Sequence, residues 1–167
     1  AFLWATAKAQ PVRRLLGHAE DVLRVDFTKN LLYAVTASAD RTVRFWSVED
    51  GGEARVFYFE NELTAFEVNE AGDTLLAGDV QGQLSVWDVE RYALIARVAV
   101  GAEPIRSLRL AYDEQHLLVH TRTTVDFYDF NRLRQPRSKD VYRRFEGKEE
   151  EAEQARPVWR FSRPELD

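Results

Sequence analysis

Short runs of apolar and β-branched residues, alternating in part with polar ones, return along this chain at a fixed interval. One group reads "VLRVDFT" from Val22, "LTAFEVN" from Leu63 and "IRSLRLA" from Ile105. A second reads "LLYAVTAS" from Leu31, "DTLLAGD" from Asp73 and "HLLVHTR" from His116. The third is "VRFWSVE" from Val43, "LSVWDVE" from Leu84 and "VDFYDFN" from Val125, and the fourth is "VRRLLGH" from Val12, "ARVFYFE" from Ala54, "LIARVAV" from Leu94 and "VYRRFEG" from Val141. Runs of this length and period predict strands, and the groups "EDGGE", "NEAGD" and "VQGQ" between them predict turns. None of these runs holds a 3.6-residue period over ten positions, so they do not read as helices; a short helix is expected only through "EEEAEQAR" in the acidic insertion. The aromatic residues Trp4, Trp46, Trp87 and Tyr128 mark the repeat at spacings of 42, 41 and 41 residues. Four short strands in each such interval is the period of a propeller blade. The pattern therefore predicts an all-β fold: a β-propeller of four-stranded antiparallel blades, about three complete and a fourth in parts.

The boundaries follow from the runs. Residues 1–18 read as the third and outer strands of a preceding blade, 19–60 and 61–101 as two blades, and 102–147 as a third with a basic outer connection. Residues 148–156 read as an acidic insertion, and 157–167, with "PVWRFS" from Pro157, as the first strand of a next blade. A ring closed from these parts would combine strands one, three and four in one sheet and leave ladder hydrogen bonds unmade, which is costly. The expectation is a portion of a larger propeller, completed by residues outside this sequence or by another chain.

Within the blade at 19–60, the stretch "ASADRTVRFW" places a carboxylate, Asp40, before a hydrophobic strand that ends on tryptophan. Gly17-His18 precedes it, and Ser38, Asp40 and Trp46 follow at the places where WD40-repeat proteins carry their Gly-His pair, turn residues and Trp; the chain resembles that family. Unit two keeps Trp87-Asp88 and Gly82, with "FEN" in place of Gly-His and Gln81 in place of the turn aspartate. The third has Tyr128-Asp129 and Arg122 there, and Gly147-Lys148 stands where a fourth Gly-His would be. The resemblance implies that His18, Ser38, Asp40 and Trp46 form one hydrogen-bonded brace: Asp40 accepts from the imidazole, His18 bridges to Ser38, and the Ser38 hydroxyl takes the indole N–H. The same three residue types could make an Asp-His-Ser triad. A triad serine needs an exposed position beside an oxyanion hole, whereas Ser38 falls in an inner strand between alanines, so the brace is the favoured reading.

Composition narrows function further. The chain has 167 residues, 45% hydrophobic and 12% aromatic, enough for a packed core. There are no cysteines, hence no disulfide, thiolate metal site or thiol nucleophile. The histidines are His18, His116 and His120; the last two lie four apart on a predicted strand, without a third donor for a metal. No phosphate-cradling glycine loop is visible. Asp88 and Asp129 are expected to cap or brace the chain after their aromatic residues. The reading is of a protein that is not an enzyme and takes no metal or cofactor. No apolar run is long enough to span a membrane, and the expected location is intracellular, cytoplasmic or nuclear.

The net charge is −5, which gives no overall pull toward nucleic acid. Charge is nonetheless uneven. "RLRQPRSKDVYRR" carries Arg132, Arg134, Arg137, Arg143 and Arg144, and "EGKEEEAE" follows with Glu149, Glu150 and Glu151. These read either as a solvated insertion or as docking elements for oppositely charged partners. Arg41, Gln81 and Arg122 sit in the blade turns, where arginines are either simply exposed or face acidic or phosphorylated segments. The first functional expectation is a non-catalytic scaffold subunit whose partners are other protein subunits and the remainder of its own propeller. The alternatives are a regulatory or sensor propeller of a larger multidomain enzyme such as an NTPase, and an RNA-associated scaffold using the arginine-rich segment.

Overall fold

The alternating runs pair as antiparallel hairpins. The computed structural model describes residues 1–5, 10–135 and 157–162, and the chain divides into two compact units. The first unit, Ala1–Leu63 with Glu70–Gly72, holds a two-stranded ribbon of β1 (Phe2–Ala5) and β2 (Gln10–Arg14). It also holds a sheet of β3 (Val22–Phe27), β4 (Tyr33–Ser38), β5 (Thr42–Ser47) and β6 (Glu53–Tyr58) in sequence order. The second unit holds one sheet of β7 (Leu63–Val68, of which Thr64 onward belongs to this unit), β8 (Thr74–Asp79), β9 (Gln83–Asp88) and β10 (Ala93–Ala99). Its other sheet comprises β11 (Ser107–Leu110), β12 (His116–His120), β13 (Thr124–Asp129) and β14 (Trp159–Ser162). Three complete four-stranded blades and a two-strand part of another are thus present. A single short helix, α1 (Phe130–Arg134), is found among the described residues. Asp129 caps it by accepting from the Arg132 amide, and Asp88 likewise accepts from the Arg91 amide.

Register decides which side chains share a face. In the first sheet Phe27 pairs with Ala34 and Ala34 with Trp46, while Val25 pairs with Thr36 and Thr36 with Arg44. These two rows lie on one face, because side chains two apart along a strand point the same way. Leu3 and Leu15 of the ribbon pack on Ala34 and Trp46 of that face. On the opposite face Phe45 sits edge-on to Tyr33 at 6.2 Å and tilted against Phe57 at 5.8 Å. In the second unit the core joins both sheets: Leu76, Leu84, Val86, Val98 and Val100 of one pack with Ile105, Leu108, Leu117, Val119 and Tyr128 of the other.

The hairpins repeat in conformation more strictly than in sequence. Leu31, Gly72 and Glu114 all adopt the left-handed backbone (φ 57°, 78° and 51°) at spacings of 41 and 42 residues. So do Arg41 and Gly82 (φ 62° and 75°), and Gly51 and Tyr92 (φ 77° and 54°). Glycine takes this conformation at no steric cost, whereas the other residues hold it at an expense that the surrounding ladder must offset.

Two expectations are corrected. "PVWRFS" does not open a next blade: β14 pairs antiparallel with β13, Phe127 opposite Trp159 and Val125 opposite Phe161, and forms the outer strand of the third sheet. The reason is a charge, since Arg160 on this strand meets a buried carboxylate on β13. "VYRRFEG", expected in that place, lies outside the described residues. Trp4 does not repeat the setting of Trp46, either. It lies on the two-strand ribbon and is 59% exposed, whereas Trp46 and Tyr128 are buried within full sheets.

Candidate functional site

The brace expected from His18 to Trp46 exists, with a different central hydroxyl. His18 Nδ1 lies 2.9 Å from Asp40 Oδ2, and His18 Nε2 lies 2.7 Å from Thr36 Oγ1. The Trp46 indole N–H donates to the same Thr36 oxygen at 2.8 Å. An ionised carboxylate only accepts, so the hydrogen on Nδ1 faces Asp40; Nε2 then accepts from the Thr36 hydroxyl, whose oxygen takes the indole N–H. The ring nitrogens of His18, the Thr36 hydroxyl and the Trp46 indole N–H are all satisfied in that one arrangement. Ser38, placed at the centre by the sequence reading, instead donates to the Glu20 carbonyl at 3.2 Å and accepts from the Asp40 amide at 3.1 Å. Register explains the difference. Trp46 stands opposite Ala34, so Thr36 is one step away diagonally, while Ser38 is four residues and about 13 Å along the strand.

Asp40 also accepts from the Ala19 amide at 3.0 Å and from the Thr42 amide and hydroxyl at 3.0 and 2.6 Å. Burial pushes its carboxyl up, but the bonds from Thr42, His18 and Ala19 outweigh it and hold the group well below the usual carboxylate range. A carboxylate so fully committed, joined through His18 to a buried threonine, has no free nucleophile beside it. The cluster ties the chain before β3 to β4 and β5.

The other blades fasten their turns by different residues. Asp79 Oδ1 accepts from the Gln81 and Gln83 amides, both at 2.9 Å, so the aspartate missing at position 81 is replaced from two residues earlier. In the third blade Thr121 Oγ1 accepts from the Thr123 and Thr124 amides at 3.3 and 3.1 Å. The sequence reading did not identify Asp79 or Thr121, although turn-forming side chains at strand ends are the signal.

The candidate partner-binding residues are partly engaged. Arg41 donates to the Glu60 carbonyl at 3.2 Å. Arg122 is held by Glu103 at 3.1 Å, and Thr123 donates to the same carboxylate, whose pKa is lowered: burial raises it, less than these bonds lower it. Gln81 is exposed. Arg132 pairs with Asp129 at 3.7 Å and Arg134 with Asp73 at 3.2 Å. Arg137, Arg143, Arg144, Glu149, Glu150 and Glu151 lie outside the described residues. His116 pairs with Asp113 at 3.1 Å, away from any metal-ligand grouping among the described residues.

One buried ion pair escaped the sequence reading. Asp126 on β13 is fully buried and receives Arg160 of β14 in two bonds, Nε to Oδ1 at 2.6 Å and Nη2 to Oδ2 at 2.8 Å. The guanidinium donates also to the Val100 carbonyl of the neighbouring sheet at 3.0 Å. Tyr128 lies beside it, its hydroxyl pushed up to about 12 by burial and then by the charge of Asp126. The signal was present in "VDFYDF": a carboxylate two residues before the repeat aromatic, on the core-facing side. In the first blade the same place holds Arg44, 82 residues earlier, paired with Glu53 in the reverse polarity.

Residues 9–47 match the family WD40, described as WD domain, G-beta repeat. Over 125 residues the chain is 26% identical to Autophagy-related protein 16 of Arabidopsis thaliana, covering 74% of this chain and 25% of that protein. It is 30% identical over 97 residues to Transcription initiation factor TFIID subunit 5 of Caenorhabditis elegans, covering 58% of this chain and 15% of that one. The chain thus spans a quarter or less of the length of these curated relatives. A solved structure, "Structure of U3-55K", superposes with a TM-score of 0.67 at 16% identity, over 71% of this chain and 39% of the other, which is a likeness of fold. Residues 9–47 thus carry a WD40 repeat, and the repeat period and the brace of the chain are similar to those of WD40-repeat proteins.

Proposed function

We propose that this chain is a non-catalytic scaffold, a protein-interaction part of a multiprotein assembly, and that its first partner is the protein surface that completes its own propeller. The observation that carries the reading is the unequal burial of one repeated position. Val25, Phe66 and Leu108 stand at spacings of 41 and 42 residues, each on the first strand of its sheet. Phe66 is buried and Leu108 is 2% exposed, but Val25 is 66% exposed, with Phe27 beside it at 49%. Half of that face is already covered, by Leu3 and Leu15 on Ala34 and Trp46. Covering the rest would stabilise by roughly 1.5–3 kcal/mol for each large side chain removed from water. The brace supports the same reading, since its polar atoms are spent on each other and offer no chemistry to a substrate. A relative named as a subunit of a transcription factor also fits a role in assembly.

Size-exclusion chromatography with light scattering on the 167-residue chain, beside a Val25→Ser/Phe27→Ser variant, tests this. The expected result is self-association or co-purification of a partner for the parent chain, and loss of both in the variant. A monomeric, cooperatively folded parent chain with the same behaviour as the variant would overturn it.

A further inference from the structure

The outer strand β14 is held in an unusual way. Trp159 on the strand and Val158 just before it are mostly exposed. Besides four backbone pairings along β13, the Arg160 guanidinium anchors the strand by reaching Asp126 and the Val100 carbonyl. Asp126 has no exposed surface, so the guanidinium is its route to a counter-charge, and a carboxylate left alone there would be strongly destabilising. The carboxylate and carbonyl together present acceptors to a planar fork of donors, an arrangement that suits arginine and not lysine. The socket is fixed by the core of the second unit, because Val100, Leu117 and Tyr128 around it are buried in that core.

We propose that Asp126 and the Val100 carbonyl form an arginine socket at an edge-strand site, and that an extended segment of a partner protein carrying arginine between two aromatic residues takes the place of β14 along β13. Recognition has two parts: ladder hydrogen bonds to the β13 edge supply sequence-independent affinity, and the socket supplies selection for arginine. The chain's own "VWRFS" occupies the site when no such partner is bound. The partner is therefore a peptide segment rather than a nucleic acid, since the acceptors in the socket are anionic or carbonyl and would repel phosphate.

The test uses the full chain with a fluorescent peptide of the sequence Pro157–Ser162 and its Arg→Lys counterpart, followed by anisotropy and thermal unfolding. In an Arg160→Ala chain, which leaves the socket open, the arginine peptide is expected to bind and raise Tm, with the lysine peptide at least tenfold weaker. Asp126→Asn in the same background should remove that preference. Should Arg160→Ala fail to fold, the parent chain serves instead: slow exchange of its own strand for millimolar arginine peptide, and not for the lysine form, is expected. Equal capture of both peptides, capture unaffected by Asp126→Asn, or no capture of the arginine peptide would each overturn the socket. None of these outcomes depends on the Val25 and Phe27 face, so failure here leaves the scaffold reading to its own experiment.

Discussion

A single hydroxyl decides how the first blade is braced. Thr36 and Ser38 both sit on β4, on the same alternation, and either could serve an indole by chemistry alone. The sequence shows two hydroxyls near a histidine and an aspartate; only the pairing of Ala34 with Trp46 shows which one is within reach. Thr36→Val keeps the shape and removes the bridge, leaving the indole N–H and His18 Nε2 without their partner. Each buried polar group so stranded costs about 1–3 kcal/mol, so a loss of about 3 kcal/mol is expected, against about 1 kcal/mol for Ser38→Ala. The denaturant midpoints at unchanged slope measure the two; equal losses would restore Ser38 to the centre. Asp40 gives the brace a pH signature. Its folded pKa lies below the ordinary value, so the stability it contributes is complete above the unfolded pKa of about 3.9 and is lost as pH falls toward the folded value. Asp40→Asn should therefore be less stable than the parent chain at pH 7, with the gap narrowing below about pH 4 in urea titrations at both ends of that range.

At the level of strands and turns, the recurrence of left-handed positions explains why the repeat is easier to see in space than in letters. Gly72 and Gly82 fit the conformation, and Leu31, Arg41, Tyr92 and Glu114 hold it against their own preference. The strand pattern and its 41-residue period were legible because alternation reports directly on pairing. The turn residues were not, since one conformation is met by glycine in one blade and by leucine or arginine in another. Leu31 is exposed and left-handed, so Leu31→Gly should stabilise by roughly 0.5–1 kcal/mol, read as a rise of a few degrees in Tm. Gly82→Ala should do the opposite. An added Cβ would stand 2.4 Å from the Gly101 carbonyl oxygen and 2.7 Å from that of Glu103, both backbone atoms that cannot swing aside. A loss of at least about 2 kcal/mol is expected, and a neutral result would mean that the chain after β10, at Gly101 and Glu103, moves freely away from the β8–β9 turn. Strand β14 was misplaced for a related reason: alternation marks a strand but does not say which edge it joins. The Asp126–Arg160 pair, with its charges 34 residues apart, supplies that information only once the third sheet is built.

For the molecule as a whole, one position in three blades separates stability from association. Leu108 lies in the core of the second unit, and Leu108→Ala is expected to cost about 2–5 kcal/mol wherever it is measured, because the cavity has nowhere to collapse. Val25 stands at the corresponding place with most of its surface in water, so Val25→Ser in the 167-residue chain should change stability by no more than about 0.5 kcal/mol. The contrast becomes informative when the same substitution is made in progressively larger assemblies. If the surface that covers Val25 and Phe27 belongs to the same polypeptide, Val25→Ser in the full-length protein will cost a core-like amount, and the Leu108 and Val25 variants will converge. If the cover comes from another chain, the full-length protein will remain indifferent and the loss will be seen only as a weaker complex, in the dissociation rate more than in the association rate. Indifference in the complex as well would mean that Val25 faces solvent throughout, and the scaffold reading would then have to be carried by a different surface.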